Sequence, residues 1–290
     1  MQYFDFLADH SSEFSLEMLG FSKTDQERII TAINQPYGMI LATGPTGSGK
    51  TTTLYTIIKL LNKKEVSIIT IEDPIEYAIS GITQIQINPR SNLTFAGGLR
   101  SILRQDPNII MVGEIRDSET AGIAVNTALT GHLLLSTLHT NDAATTLPRL
   151  LDMNIDAYLV ASTVNVAIGQ RLVRKICDYC KESHDLTDAE YKNLLFSLPD
   201  RLKRASFSKS FFKGAGCEHC DHTGYQGRVG LYEVLVVSAN VREAILSRAP
   251  ATTIRSIAVS EGMTTMFEDG IYKASEGRTT LSEVLRTINE

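Results

Sequence analysis

The densest chemistry in the chain lies in one run: Gly44, Pro45, Thr46, Gly47, Ser48, Gly49, Lys50, Thr51 and Thr52. Gly44, Gly49, Lys50 and Thr51 satisfy G-x-x-x-x-G-K-[ST] in full. Glycines at these places let the backbone wrap an anion, with amide N–H groups and a helix N-terminus facing it. In that role Lys50 reaches the β- and γ-phosphates of ATP, and Thr51 holds Mg²⁺. At average composition, a chance match in a chain this long is about a 1% event. The flanks agree, since MILAT reads as a strand and TTTLYTIIKLL as a helix.

Hydrolysis also needs an acid at the end of a neighbouring strand. Two apolar runs end in acids: IITIE at Glu72 followed by Asp73, and IIMVGE at Glu114. Gly113 stands where a metal-binding Asp is usual. The Mg²⁺ contact through water is therefore expected to fall partly to Glu72, leaving Glu114 to orient or deprotonate water. Strand-end acids also cap loops, an alternative that weighs more on Glu72 than on Glu114. His132 and His139 bracket a further apolar run. His132, as a neutral donor, would sense the γ-phosphate, or else it is a packed core histidine. Arg100, Arg104 and Arg116 flank the acidic strand. They either act across a subunit contact or decorate a helix surface.

Four cysteines form two CxxC units, Cys177/Cys180 and Cys217/Cys220, with 36 residues between them. Four thiolates suit tetrahedral Zn²⁺, and such a site is closed and structural. Reduced core thiols and a redox pair are the competing readings. His219 or His222 in place of a cysteine is disfavoured.

The elements that must carry these groups alternate along the chain. Residues 38–43, 66–72, 109–114 and 132–138 read as strands; segments near 50–62, 95–106, 117–130 and 141–153 have helical spacing. Strands separated by helices imply a mostly parallel sheet covered on both faces. Residues 82–87 (ITQIQI) alternate like a half-exposed strand on its rim. Ser22 is an N-cap candidate before a helix ending at Pro36. After about residue 170 the texture changes to cysteine pairs around a polar helical stretch. Residues 229–237 then read as a strand, and Thr280 with Glu283 as a capping box opening a last helix with Leu281, Val284, Leu285 and Ile288 on one face.

At 290 residues, 43% hydrophobic and 21% charged, the chain can hold one large α/β core and a smaller satellite. A net charge of −5 argues against a dedicated nucleic-acid binder. The local basic cluster Arg171, Arg174 and Lys175 reads as a solvated helix end. The first residues lack a signal-peptide layout, so the paired CxxC units suggest metal before disulfide, and the cytoplasm is the default compartment. Residues 120–141 carry no charged side chain, yet they are too rich in Thr, Ser, Asn and His to span a membrane. They read as buried α/β core.

In order, GPTGSGKTTTLY, IEDPIEY, LRSILRQDPNIIMVGEIRD and TGHLLLSTLHTND resemble the Walker A, Asp, Walker B and His boxes of the type II secretion and type IV pilus assembly ATPases. The cysteine pairs before GYQGRVGLYEVL resemble the zinc module of the GspE/PilB-like branch, which retraction relatives usually lack. The resemblance runs from about Leu16 to Glu290. It implies an α/β fold: a RecA-like P-loop NTPase core with a mostly parallel sheet, a small tetracysteine zinc module and C-terminal helices. The segments expected are 1–35 as linker and leading helix, 36–170 as core, 171–235 as zinc module and 236–290 as C-terminal helices. It further implies a hexamer with ATP, hydrolysed to ADP and phosphate, between subunits. An inner-membrane platform protein would be the partner, and the chain would sit at that membrane from the cytoplasm. Carried over by motif, Glu114 is the catalytic glutamate, Glu72 the Asp-box acid near Mg²⁺, His132 the His-box residue, and the four cysteines zinc ligands. The family generally carries an N-terminal domain that supplies arginines to the neighbour's nucleotide. The chain starts where it should have ended, so weak or no hydrolysis and poor ring formation are expected of it alone. A nucleic-acid translocase on a RecA-like core, or a non-catalytic nucleotide-binding fragment, are the rival readings.

Overall fold

A computed structural model describes residues 15–198, 201 and 209–289. The expectations for the first fourteen residues lie outside the described residues. The described residues fall into two compact units: those up to Gln170 with Glu233–Met263, and those of Arg171–Tyr232 with those from Thr264 onward. The segment 236–290, expected as one helical piece, is thus shared between the units.

In the first unit, β1 (Gly38–Thr43), β2 (Ile68–Glu72), β4 (Ile109–Val112) and β5 (Leu133–Leu138) are buried at every residue. Near-continuous apolar runs are what a parallel sheet covered on both faces demands. With β3 (Thr83–Gln86), β6 (Val164–Ile176) and β9 (Tyr225–Val236), of which residues 164–170 and 233–236 belong to this unit, the order is β3-β2-β4-β5-β1-β6-β9. The sheet is mostly parallel, and β3 forms its half-exposed rim as its alternation requires. One strand, β5, lies between β1 and β4. Its register runs from Gly38 opposite Leu133 to Thr43 opposite Leu138.

Around the sheet stand α1 (Leu16–Leu19), α2 (Lys23–Ile33), α3 (Lys50–Leu61), α4 (Phe95–Ile102), α5 (Ser118–Leu129), α6 (Ala143–Asp152) and α7 (Ala157–Thr163). Ser22 does cap α2, accepting from Asp25 N at 3.1 Å. The uncharged stretch 120–141 becomes buried faces of α5 and β5, and among the described residues no helix is long and apolar enough to cross a membrane.

The second unit contains the antiparallel ladder of β7 (Lys181–Asp185) with β8 (Ser210–Gly214), and α8 (Asp188–Ser197). After α9 (Ala239–Leu246) and α10 (Ala251–Ser260) of the first unit, the chain adds α11 (Met266–Ser275) and α12 (Leu281–Asn289) to the second. Val173, Phe211, Leu231, Ile271 and Val284 form its core. Only half of the expected capping box at α12 exists. Glu283 N donates to Thr280 Oγ1 at 3.2 Å, but the Glu283 carboxylate accepts from Arg174 N at 3.1 Å and from the Arg174 guanidinium at 2.7 Å. Burial would push that carboxyl up; Arg174 and Arg286 outweigh it and hold it at about 2. Lys175 pairs with Asp178 at 2.7 Å. Two members of the basic cluster are therefore neutralised locally.

Candidate nucleotide-binding and hydrolytic site

The loop after β1 begins at Gly44, whose φ is +147°. A Cβ there would lie 2.3 Å from the Gln170 carbonyl oxygen and 2.6 Å from Ser48 Oγ, so no other residue fits. The loop closes on Gly49 in the left-handed region (φ 87°), and no side chain caps α3. The first-turn amides of Lys50, Thr51 and Thr52 are consequently left for an external acceptor. Lys50 is buried, and its Nζ donates to the Gly44 and Pro45 carbonyls at 2.9 and 3.0 Å. Burial lowers its pKa, and the negative charge of Glu114 works against that. Ser48 Oγ is buried with no hydrogen-bond partner among the described residues. A loop rich in amides and hydroxyls around one ammonium suits an anion of several oxygens, and the Thr51 hydroxyl is the kind of oxygen ligand Mg²⁺ takes. The donor set fits MgATP.

Sequence reasoning missed Gln170. Its Nε2 donates to Ser48 O at 2.7 Å, so β6 pins the loop from the side. A single glutamine within a mixed polar and apolar run carries no signal for this.

Glu114 emerges just beyond β4. One carboxylate oxygen pairs with Arg116, and the other meets His139 Nε2 at 3.1 Å. Burial would push the Glu114 carboxyl up, but Arg116 and then His139 outweigh it and hold it below the ordinary carboxylate value. Thr140, next to His139, donates its N–H to Thr43 Oγ1 at 3.2 Å, and Thr43 Oγ1 donates to Thr140 O at 3.0 Å. The segment after β5 thus ties the end of the phosphate-loop strand to the acid.

His132, expected near the γ-phosphate, lies elsewhere within the chain. It precedes β5, at the level of Gly38, whose N–H donates to its carbonyl at 3.1 Å. Its ring contacts Thr127 O at 3.2 Å. At about 3.3 Å per strand residue, that is about 20 Å from the strand end where the loop emerges. Within one chain His139, not His132, stands beside Glu114.

Glu72, only 2% exposed, ends β2. One oxygen accepts from the Tyr55 hydroxyl; the other accepts from Thr70 Oγ1 and from Gln84 Nε2 at 3.1 Å. Three protein donors occupy most of its acceptor capacity. The water-mediated Mg²⁺ contact expected of Glu72 would have to compete with them. Arg100 pairs with Glu119 at 2.7 Å, and Arg104 lies 3.3 Å from Ser101 Oγ.

In the second unit the four cysteine sulfurs lie within 4.8 Å of one another. Cys177–Cys217 and Cys180–Cys220 stand 3.8 Å apart and Cys217–Cys220 3.7 Å. A tetrahedron with Zn–S bonds of about 2.3 Å has edges of about 3.8 Å. The set therefore fits zinc, and all four thiols are free. Burial would push the Cys220 thiol up, but the amides of Cys217 and Gly224, each 3.3 Å away, outweigh it and bring it to about 6. Between the pairs, the described residues form β7, α8 and β8, and the β7–β8 ladder brings the second pair to the first, with Ala215 N donating to Cys180 O at 2.9 Å. His219 stacks on Tyr179 at 4.0 Å and is not among the four.

A family model described as "Type II/IV secretion system protein" matches residues 5–286. The type IV pilus assembly ATPase PilB of Thermus thermophilus is 48% identical over 280 residues, covering 94% of this chain and 30% of that protein. Type II secretion system protein E of Xanthomonas campestris is 46% identical, covering 96% and 48%, and that of Aeromonas hydrophila 43%, covering 98% and 55%. Among solved structures, the Legionella pneumophila ATPase DotB has a TM-score of 0.65 at 27% identity, over 94% of this chain and 64% of that one. The pilus retraction motor PilT with bound ADP scores 0.68 at 28%, over 95% and 67%. The fold is the mixed α/β core of these secretion ATPases, and the chain also carries a tetracysteine cluster. The chain spans between 30% and 55% of the length of the curated relatives named here. From residue 5 to residue 286, this chain belongs to the type II/IV secretion system protein family.

Proposed function

We propose that the chain is the motor core of an ATPase that hydrolyses ATP to ADP and phosphate to power type II secretion or type IV pilus assembly. The observation that carries this is one edge of one sheet: the loop after β1 and the acid after β4 converge there, joined by the Thr43–Thr140 and His139–Glu114 contacts. The relatives' own names, type IV pilus assembly ATPase and type II secretion system protein E, support the same reading.

The amides of residues 44–52 would bind the triphosphate, with Lys50 exchanging its loop carbonyls for β- and γ-oxygens. Bound Mg²⁺ would neutralise charge on those oxygens, with Thr51 as the hydroxyl ligand. Glu114 would take a proton from the attacking water once Arg116 releases one carboxylate oxygen. His139 would orient that carboxylate. Cys177, Cys180, Cys217 and Cys220 would hold a structural zinc that cross-links the second unit. The working state would be a cytoplasmic hexamer with ATP between subunits, acting on a platform protein in the inner membrane. Pairing of Arg174 and Lys175 with acids removes much of the basic cluster a nucleic-acid translocase would use.

Glu114→Gln in the full-length protein tests this reading. Turnover should fall by at least about 100-fold, the scale of a lost general base, while MgATP affinity stays within about threefold of wild type. Undiminished turnover would remove Glu114 from the chemistry.

A further inference from the structure

Tyr55 is fully buried on α3, one helical turn beyond Thr51. Residues four apart share a helix face. Its α3 neighbours Leu54, Ile57 and Ile58 are also fully buried and entirely apolar, so packing alone asks for no hydroxyl here. A hydroxyl in such a place costs free energy unless it is partnered. It is: the Tyr55 O–H donates to the Glu72 carboxylate, and the ring meets Tyr77 edge-on at 4.8 Å and 83°. Burial, then the bond to Glu72, raises the Tyr55 phenol well above its ordinary value, so it remains a donor across the working pH range.

Glu72 in turn lies against the hydrolytic strand. Gly113 N donates to Ile71 O at 2.8 Å, and a Cβ on Gly113 would come within 3.3 Å of Glu72 Cα. Where the end of β2 sits therefore fixes where Gly113 and Glu114 sit. We infer that Tyr55 is a positioning residue: its hydroxyl transmits the placement of the phosphate-loop helix to Glu72 and, across the β2–β4 contact, to Glu114. The inference rests on the proposed reading of Glu114 as the hydrolytic base.

Tyr55→Phe removes one oxygen and keeps the ring. In the full-length protein it should lower kcat by about tenfold, a modest share of what misplacing a reacting group by 1 Å costs. KM for ATP should stay within about threefold, because the loop amides and Lys50 are untouched. If the hydroxyl acts through Glu72, adding Tyr55→Phe to Glu72→Ala should change kcat by less than about twofold beyond Glu72→Ala alone. Thermal melts confirm that each variant folds. If Tyr55→Phe melts far below wild type, Thr70→Val, which removes a donor from the other Glu72 oxygen, takes its place and should show the same split. A wild-type kcat in Tyr55→Phe, a loss confined to KM, or a full loss repeated on top of Glu72→Ala would overturn the inference alone. A full-length wild-type protein that binds MgATP without hydrolysing it would overturn the hydrolytic reading and this inference together.

Discussion

Glu114 meets one requirement of a general base and fails the other. Its carboxyl is held below the ordinary value by Arg116 and His139, so it is ionised near neutral pH. Both its oxygens, however, are engaged. The Arg116 side chain is 61% exposed, which makes it the partner able to leave, whereas His139 comes from the segment tied to the phosphate-loop strand. His139→Ala should therefore reduce turnover by about ten- to a hundredfold. His132→Ala, which loses the contact to Thr127 O, should cost no more than about twofold. Turnover assays on the two variants check this, and the reverse ranking would contradict the assignment. The bracketing of one strand by two histidines was legible in the sequence; that His139 rather than His132 lies beside Glu114 was not. Strand polarity held the answer. In a parallel sheet the loop leaves β1 at its carboxyl end, so the partner on β5 must follow that strand.

Among the elements, the β7–β8 ladder shows why motif and fold can be legible to different degrees. The two CxxC units are plain in the sequence, but KESHD is exposed at all five residues and has no apolar alternation. It is a strand because the ladder and the cysteine cluster hold it. The same applies to β6, thirteen residues interrupted by Asn165, Gln170, Arg171, Arg174 and Lys175. Glu283 was expected to complete a cap, but a guanidinium is a stronger partner for a carboxylate than a backbone amide. If zinc cross-links the second unit, metal analysis should return one zinc per chain and Cys217→Ser should lose it. Stripping the metal with a chelator should lower the melting transition, since metal affinity for the folded site is folding free energy. Metal-free protein with an unchanged melt would contradict the zinc reading.

At the scale of the whole molecule, the groups proposed for hydrolysis follow the carboxyl ends of β4, β5 and β1, namely Glu114, His139 and residues 44–52, while Glu72 is the last residue of the adjoining β2. A sheet whose strands share one direction collects loops from distant parts of the chain at one edge. That much was legible, because buried parallel strands are written as largely apolar runs such as IITIE and LLLSTL. The division of the C-terminal helices was not. α9 and α10 join the first unit and α11 and α12 the second, and only tertiary packing decides which core an amphipathic helix covers. The central claim is that residues 44–52 bind MgATP with Lys50 as the cationic contact. Calorimetric titration of MgATP into wild-type and Lys50→Ala protein tests it most directly. Saturable binding by wild type, weakened at least about 100-fold in the variant as expected for a lost charge-assisted contact, is the predicted result. Equal binding by both proteins, or none by wild type, would contradict it.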